Sequence, residues 1–273
     1  MNTRYDMIIV GGGMTGASLA IALSGHGLKL ALVEAALPTV DSVPNYDDRA
    51  IALAWGSSRI FSGLGVWQDI SATAEPIRQI HVSERGGFGF TRLHHASEGV
   101  AALGYVVTAR DLGTVLLESL ANCRDVELIA PARVTSVQTT EQKASIGILR
   151  EGESATLEAT LLVAADGGQS FIREQLQIAT RRWDYAQHAV VANLSPSKPH
   201  QGVAFERFTE QGPVALLPMS EQRCALVYTV QDRQLEAVQA LDDERFLALV
   251  QQRFGWRLGR FKQVGKRAAY PLS

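Results

Sequence analysis

A glycine-rich turn near the start of the chain has the residue types and spacing of a dinucleotide-binding βαβ unit. An apolar run, residues 6–10, leads directly into Gly11-Gly12-Gly13-Met14-Thr15-Gly16 and an Ala- and Leu-rich helix. Gly11 permits the tight turn, Gly13 leaves room for a pyrophosphate beside the backbone, and Gly16 lets the helix pack on the strand. The free N–H groups at the helix N-terminus favour phosphate. The predicted cofactor-binding residues of this unit are Gly11, Gly13, Met14, Thr15, Gly16 and Glu34.

Glu34 closes the second apolar run, residues 30–33, about twenty positions after the turn. At that place a carboxylate can accept hydrogen bonds from both ribose hydroxyls, and it would repel a 2′-phosphate. The unit is therefore predicted to hold FAD or NAD rather than NADP.

A second motif, A-D-G-x-x-S-x-x-R, follows the apolar run 161–165 and begins at Ala165. Asp166 ends the strand, Gly167 permits a close turn, and Ser170 can cap a helix that carries Arg173 one turn later. On these residues alone, a well-capped strand–turn–helix with a purely structural role remains an alternative to a ligand site.

The composition is that of a globular chain, with 273 residues, 46% of them apolar, and a net charge of −2. The charge gives no general electrostatic reason to bind nucleic acid. We expect a cytoplasmic protein without signal peptide or membrane-spanning helix, since residues 1–5 are polar and no long apolar run follows. Cys123 and Cys224 lie far apart, which favours a reducing compartment, and His94 and His95 show no metal-ligand spacing.

Hydrophobic periodicity predicts a mixed α/β chain. A polar loop containing Pro38 and Pro44 follows the first unit, and residues 126–158 suggest a β-meander before the buried strand 161–165. From residue 189 the pattern changes to longer strands interrupted by one helix, which suggests a second, antiparallel-sheet domain interleaved with the first. The predicted helices are 14–24, 57–64, 109–120 and 242–254, and the other predicted strands are 77–83, 89–93, 189–194, 202–208, 214–217 and 224–230.

Taken together, the two motifs resemble the class A flavoprotein aromatic monooxygenases, the p-hydroxybenzoate-hydroxylase-like family. In that family the pair corresponding to Asp166-Gly167 lies near both the FAD and the route of the nicotinamide cofactor. Only one glycine fingerprint is present, which agrees with a family that binds NAD(P)H transiently and has no separate domain for it. The resemblance thus assigns the fingerprint to FAD.

The resemblance implies further cofactor-binding residues and a domain plan. Arg49 matches the family arginine that approaches the FAD, Arg110 matches the arginine that opens the helix after the first substrate-domain strands, and Val134 falls where the family presents backbone to the adenine. Guanidinium groups suit phosphate and ribose oxygens. The implied fold is an α/β, Rossmann-like FAD-binding domain with a β-meander, residues 1–75 and 100–182, interleaved with an antiparallel-sheet substrate domain, residues 76–99 and 183–273.

The stretches 49–54, 204–209, 212–219 and 254–259 look like those of the ubiquinone-biosynthesis hydroxylases. This narrower resemblance implies ring hydroxylation of a polyprenylated methoxyphenol with NAD(P)H, O₂ and a C4a-hydroperoxyflavin. A substrate too apolar to dissolve makes peripheral membrane contact an expectation, together with other ubiquinone-biosynthesis proteins as partners. The residues single out no catalytic base, and they leave the oligomeric state, the ring position, the tail length and the choice of NADH or NADPH open.

The family carries another FAD motif, a strand–turn–helix containing G-D or G-N, after the substrate domain. Because the sequence stops at Ser273 before such a motif, we expect a chain truncated from a longer protein, which binds FAD weakly or not at all and turns over little. Two alternatives stay open: a related flavin monooxygenase acting on another substrate, and a non-catalytic component of a quinone-biosynthesis complex.

Overall fold

The computed structural model describes residues 3–36 and 48–273, so the predicted loop with Pro38 and Pro44 lies outside the described residues. Within this part of the chain there are 17 strands and seven helices. The strands are β1 Thr3–Val10, β2 Leu30–Val33, β3 Ala50–Ala54, β4 Glu75–Ile77, β5 Gln79–Glu84, β6 Phe90–His94, β7 Gly104–Thr108, β8 Val126–Ile129, β9 Arg133–Thr139, β10 Ala144–Arg150, β11 Glu153–Ala164, β12 Gln187–Pro196, β13 Val203–Phe208, β14 Val214–Pro218, β15 Cys224–Gln231, β16 Phe261–Val264 and β17 Ala268–Leu272. The helices are α1 Met14–Leu23, α2 Trp55–Gly63, α3 Trp67–Ser71, α4 Ala109–Ala121, α5 Phe171–Gln175, α6 Asp232–Gln239 and α7 Asp243–Phe254.

The described residues divide into two compact units. Unit 1 takes its residues from Met1–Asp41 and Leu112–Arg181, and unit 2 takes its residues from Ser42–Asp111 and Arg182–Ser273. The sequence predicts residues 48–75 and 100–111 as part of the cofactor domain. By compactness they group with the antiparallel sheet, because β3 pairs with β7 and Val106 of β7 packs against Ala204 and Ala225. Compactness does not define ligand-binding domains, so the functional boundaries stay a prediction.

Unit 1 contains a six-stranded sheet in the order β8-β2-β1-β11-β10-β9. The first four strands are parallel, and β11, β10 and β9 pair antiparallel. Two predictions were wrong. The strand at 126–129 is not part of the meander but lies parallel to β2. The strands predicted at 156–158 and 161–165 form one strand, because β1 pairs with both in a single register.

The core of unit 1 forms because the parallel strands are apolar on successive residues. Ile8, Ala31 and Val33 are almost completely buried and pack with Ile146 and Leu157 of the antiparallel strands. Continuous apolar runs are typical of parallel strands that are covered on both faces. The short apolar runs of the sequence therefore form the buried parallel strands from which the glycine turn begins.

Unit 2 contains an eight-stranded sheet, β16-β12-β15-β14-β13-β5-β6 with β17 also on β12, and a small sheet β3-β7-β4. The predicted strand 77–83 is divided between the two sheets at Arg78, whose N–H donates to the Gly202 carbonyl at 2.8 Å. The structure also adds α6, which the sequence analysis missed because its eight residues are mostly polar. Phe246 and Phe254 of α7 are buried and pack with Leu216 and Leu226 of the sheet.

The two thiols lie in different environments. Burial raises the pKa of the Cys224 thiol to about 12, whereas Cys123 is half-buried just after the end of α4. We expect one thiol, Cys123, to react with Ellman's reagent at about pH 8 in the native protein and both to react after denaturation. Equal native reactivity of the two thiols would contradict this. Because the folded-state pKa of Cys224 is raised, its contribution to stability is complete below an unfolded pKa of about 8.5 and is lost as the pH rises towards 12.

No helix in the part of the chain that the structure describes combines the length and the apolar character needed to cross a membrane.

Candidate functional site

The glycine turn between β1 and α1 requires glycine at Gly11. Its φ is +104°, and an added Cβ would lie 2.3 Å from the Ala165 carbonyl oxygen and 2.9 Å from the Asp166 Cα. The Gly11 N–H donates to the Val33 carbonyl at 2.8 Å. The structure therefore brings the two sequence motifs together: the turn packs directly against the strand end that carries Asp166.

The other two fingerprint glycines differ in the space around them. A Cβ on Gly16 would lie 1.9 Å from the Gly11 carbonyl oxygen, so glycine is needed for α1 to approach the turn. At Gly13 an added Cβ would meet no described atom within 4 Å, which leaves space beside the backbone. The first helical hydrogen bond runs from the Ala17 N–H to the Gly13 carbonyl, so the amides of Met14, Thr15 and Gly16 precede the hydrogen bonding of the helix itself.

The Glu34 side chain is fixed beside this turn. Its Oε2 accepts from the Gly12 N–H at 2.6 Å, and its Oε1 accepts from the Ala36 N–H at 2.9 Å. A carboxylate offers about four acceptor positions, so each oxygen can accept one more donor, such as a ribose hydroxyl. The backbone carbonyl of Glu34 accepts from the Ala132 N–H at 2.7 Å, which places the segment leading to Val134 beside it. Val134 itself is half-buried on β9.

Glu34→Gln keeps the size of the side chain and removes its charge. Because hydrogen bonds to charged acceptors are the stronger kind, we expect a loss of about 1–2 kcal/mol in the free energy of unfolding and about a tenfold loss of FAD affinity. Denaturant unfolding and flavin fluorescence measure the two effects. Glu141→Gln, an exposed change in the same unit, is the matched control. Equal behaviour of the two variants would show that Glu34 has no role in the site.

Asp166 lies just after β11, and the two oxygens of its carboxylate differ in their hydrogen bonding within the described residues. Its Oδ2 accepts from the Ile172 N–H at 3.2 Å, and its buried Oδ1 has no hydrogen-bond partner among the described residues. Ser170, not Asp166, caps α5 by accepting from the Arg173 N–H at 3.0 Å, as predicted. Gly167 has φ +86°. A purely structural capping motif explains Ser170 but leaves Asp166 Oδ1 without a function.

The two predicted arginines lie in unit 2. Arg49 is exposed, and its carbonyl accepts from the Ala109 N–H at 2.7 Å. Arg110 is held by two carboxylates, with Nε 2.9 Å from Asp48 Oδ2 and Nη2 2.8 Å from Asp111 Oδ1. These ion pairs fix the guanidinium at the start of α4. The role of Arg49 and Arg110 towards FAD stays a prediction.

Unit 2 also contains a cavity of about 430 Å³ that the sequence analysis did not identify. Its walls are mainly apolar, and Asn193 donates from Nδ2 to the Asp48 carbonyl at 2.9 Å on its polar side. The cavity is lined by Asp48, Arg49, Ala50, Val191, Ala192, Asn193, Leu217, Ala225, Leu226, Val227, Lys266, Ala268 and Tyr270. Of the site residues predicted from the sequence, Arg49 is the one that lines this cavity.

Similarity to known proteins identifies the family of this chain. A family model described as an FAD binding domain matches residues 4–270. The chain belongs to this family. Ubiquinone hydroxylase UbiL from Rhodospirillum rubrum is 35% identical over 269 residues, covering 98% of this chain and 62% of the relative. Ubiquinone hydroxylase UbiM from Neisseria meningitidis is 32% identical over 279 residues, covering 100% of this chain and 59% of the relative. The chain thus spans about three fifths of the length of these curated relatives.

Solved structures show the same fold. The crystal structure of p-nitrophenol 4-monooxygenase PnpA from Pseudomonas putida DLL-E4 matches with a TM-score of 0.79 and 16% identity, covering 99% of this chain and 68% of that one. The predicted fold class, an α/β chain with parallel and antiparallel sheets, is confirmed. The narrower resemblance of the motifs, to 2-polyprenyl-6-methoxyphenol hydroxylase, concerns the same group of ubiquinone hydroxylases.

The residues of unit 1 fit a bound FAD. The Gly13 backbone is open to a pyrophosphate, the first amides of α1 can donate to it, and Glu34 has acceptor positions for ribose hydroxyls. Asp166 Oδ1 is a buried acceptor without a donor among the described residues, which a cofactor hydroxyl can supply.

Proposed function

We propose that this chain forms the cofactor- and substrate-binding part of an FAD-dependent, NAD(P)H-using monooxygenase that hydroxylates the ring of a polyprenylated methoxyphenol in ubiquinone biosynthesis. The observation that carries the proposal is the glycine turn packed against Asp166, whose buried Oδ1 has no donor among the described residues. Two relatives named as ubiquinone hydroxylases support the substrate class.

In this proposal the backbone of Gly11, Gly13, Met14, Thr15 and Gly16 binds the pyrophosphate. Glu34 accepts from the ribose, Val134 presents its backbone to the adenine, and Asp166 and Gly167 hold the part of FAD nearer the flavin, with Arg49 and Arg110 as further ligands. When bound, FAD supplies the transfer of electrons from NAD(P)H to O₂ and the delivery of one oxygen atom to the ring.

The unit 2 cavity is the proposed site of the phenol ring. Its volume of about 430 Å³ falls in the usual range for small-molecule pockets. Val191, Leu217 and Val227 offer an apolar wall that would exclude water, while Asn193 and Lys266 are polar groups able to orient a phenol or methoxy oxygen. We assign no proton transfer to any side chain. Peripheral membrane contact and binding to other quinone-biosynthesis proteins are part of the same proposal.

Product analysis tests the proposal on the protein as encoded, with FAD, NADH or NADPH, and O₂. We expect a prenylated methoxyphenol to gain one oxygen atom, and ¹⁸O₂ to label that atom. A simple phenol of the same ring pattern is the matched control and should react more slowly. Preferential hydroxylation of the simple phenol would support a different aromatic substrate. Binding of FAD without any product from either phenol would contradict the proposed activity.

A further inference from the structure

Arginine and aromatic side chains cluster at two parts of unit 2: the β5–β6 hairpin with the neighbouring strand β13, and the residues that follow α7. β6 is the last strand of the eight-stranded sheet, and all five of its residues are exposed. We name this cluster the basic aromatic patch. It consists of Arg85, Phe88, Phe90, Arg92, Arg207, Trp256 and Arg257.

A buried histidine, His81, joins the two parts of the patch. Arg92 Nε donates to His81 Nδ1 at 3.2 Å, and Arg257 Nη1 contacts His81 Nε2 from the segment after α7. The Phe90 ring stacks on the imidazole with centroids 5.4 Å apart, and the Arg92 guanidinium carbon lies 4.6 Å from the Phe90 centroid. The hairpin and the segment after α7 are therefore held as one surface.

The guanidinium groups of the patch have no acidic partners among the residues that the structure describes. Arg207 Nη1 donates to the Phe254 carbonyl at 2.6 Å, but its buried Nε has no partner in the described part of the chain. Burial, then the charges of Arg257 and Arg85, lower the pKa of Arg207. None of Arg85, Arg92, Arg207 and Arg257 forms an ion pair with a carboxylate of the described residues. An anionic partner would therefore relieve their mutual repulsion.

Three aromatic rings of the patch are exposed to solvent. Phe88, in the turn between β5 and β6, is fully exposed, Phe90 is 57% exposed, and Trp256 is 68% exposed. Aromatic rings beside cations suit the boundary of a bilayer, where the rings enter the headgroup region and the cations meet anionic lipids.

The patch is separate from the unit 2 cavity. Phe205 lies on the same face of β13 as Arg207, because residues two apart share a face, and it packs in the cluster under α7. Ala204, the residue before Phe205, packs on the opposite face with Ala225, which lines the cavity. A partner bound at the patch would therefore leave the cavity free.

We propose that the basic aromatic patch docks the protein on an anionic phospholipid bilayer. The four arginines would face the lipid phosphates, and Phe88, Phe90 and Trp256 would enter the headgroup region. The choice of a bilayer over an acidic protein rests on the proposed function, since a polyprenylated phenol resides in the membrane. Vesicle binding is measured without turnover, so its failure and the failure of hydroxylation are distinguishable.

Flotation with vesicles of phosphatidylcholine, with and without phosphatidylglycerol, tests the proposal. We expect binding only to the anionic vesicles, weakening as salt rises. Arg92→Gln with Arg257→Gln should weaken binding roughly 25-fold, at about fivefold for each arginine near the surface. Arg124→Gln with Arg150→Gln removes the same charge from exposed residues of unit 1 and should change binding little.

Because Arg92 and Arg257 contact His81, a second variant avoids any effect on folding. Arg85→Gln with Phe88→Ala changes only exposed residues of the hairpin turn and should also weaken binding to anionic vesicles. Absence of binding to anionic vesicles at low salt would overturn the proposal, as would equal binding to neutral vesicles. An equal loss in the variant with Arg124→Gln and Arg150→Gln would also overturn it, because binding would then depend on total charge and not on the patch.

Discussion

Gly16→Ala should destabilise the fold by about 3 kcal/mol or more, at the upper end of the cost of overpacking a well-packed site. The added Cβ would lie 1.9 Å from the Gly11 carbonyl oxygen and 3.3 Å from Ile9 Cγ2. Since the closest atom belongs to the backbone of a turn that itself packs on Ala165, α1 has to move away from β1. Denaturant unfolding at equilibrium measures the loss.

Gly13→Ala is the matched control for this change. Gly13 has φ −66° and ψ −175°, which alanine adopts without strain, and an added Cβ meets no described atom within 4 Å. We expect its stability to change by less than about 1 kcal/mol, while FAD affinity falls at least about tenfold because the methyl group enters the space proposed for the pyrophosphate. If the two variants unfolded at the same denaturant concentration, the packing role assigned to Gly16 would be wrong.

Asp166→Asn should produce a selective loss of cofactor affinity, at least about tenfold, with little change in stability. The amide can still accept from the Ile172 N–H, which bonds Oδ2 at 3.2 Å in the structure. It presents an N–H₂ group, however, where Asp166 Oδ1 offers a buried acceptor without a donor among the described residues. The amide N–H₂ group and the cofactor hydroxyl, which are both donors, would then face each other in the cofactor complex. Titration of both proteins with FAD, followed by flavin fluorescence, gives the ratio of affinities.

The control for this prediction is Ser170→Ala in the same motif. Ser170 caps α5, so its removal should cost about 1 kcal/mol of stability and leave FAD affinity nearly unchanged. A larger loss of FAD affinity in Ser170→Ala than in Asp166→Asn would mean that the motif acts by shaping α5 rather than by an acceptor at Asp166.

Local chemistry made the glycine turn predictable from sequence. The left-handed φ of Gly11, the close approach at Gly16 and the cap at Ser170 each depend on residues only a few positions apart. Such features follow from backbone sterics and hydrogen bonding. The pairing of β8 with β2 and the length of β11 depend instead on strands far apart in sequence, and the meander prediction failed at those two places.

In the candidate site, too, features set by local spacing were predictable, whereas features set by the fold were not. The acceptor role of Glu34 could be proposed from its spacing, but its bonds to the Gly12 and Ala36 amides could not. The cavity that contains Asn193 and Tyr270 was not predictable, because its walls come from strands of both sequence segments of unit 2. The ion pairs of Arg110 with Asp48 and Asp111 likewise needed the fold, since 62 residues separate Arg110 from Asp48.

Titration calorimetry of the chain with ADP and, separately, with FMN tests most directly whether unit 1 is the site for the adenosine diphosphate end of FAD. We predict that ADP binds at one site per chain, that FAD competes with it, that Gly13→Ala weakens it at least about tenfold, and that FMN does not compete. Binding of FMN in preference to ADP, or ADP binding that is unaffected by Gly13→Ala, would contradict the proposed site.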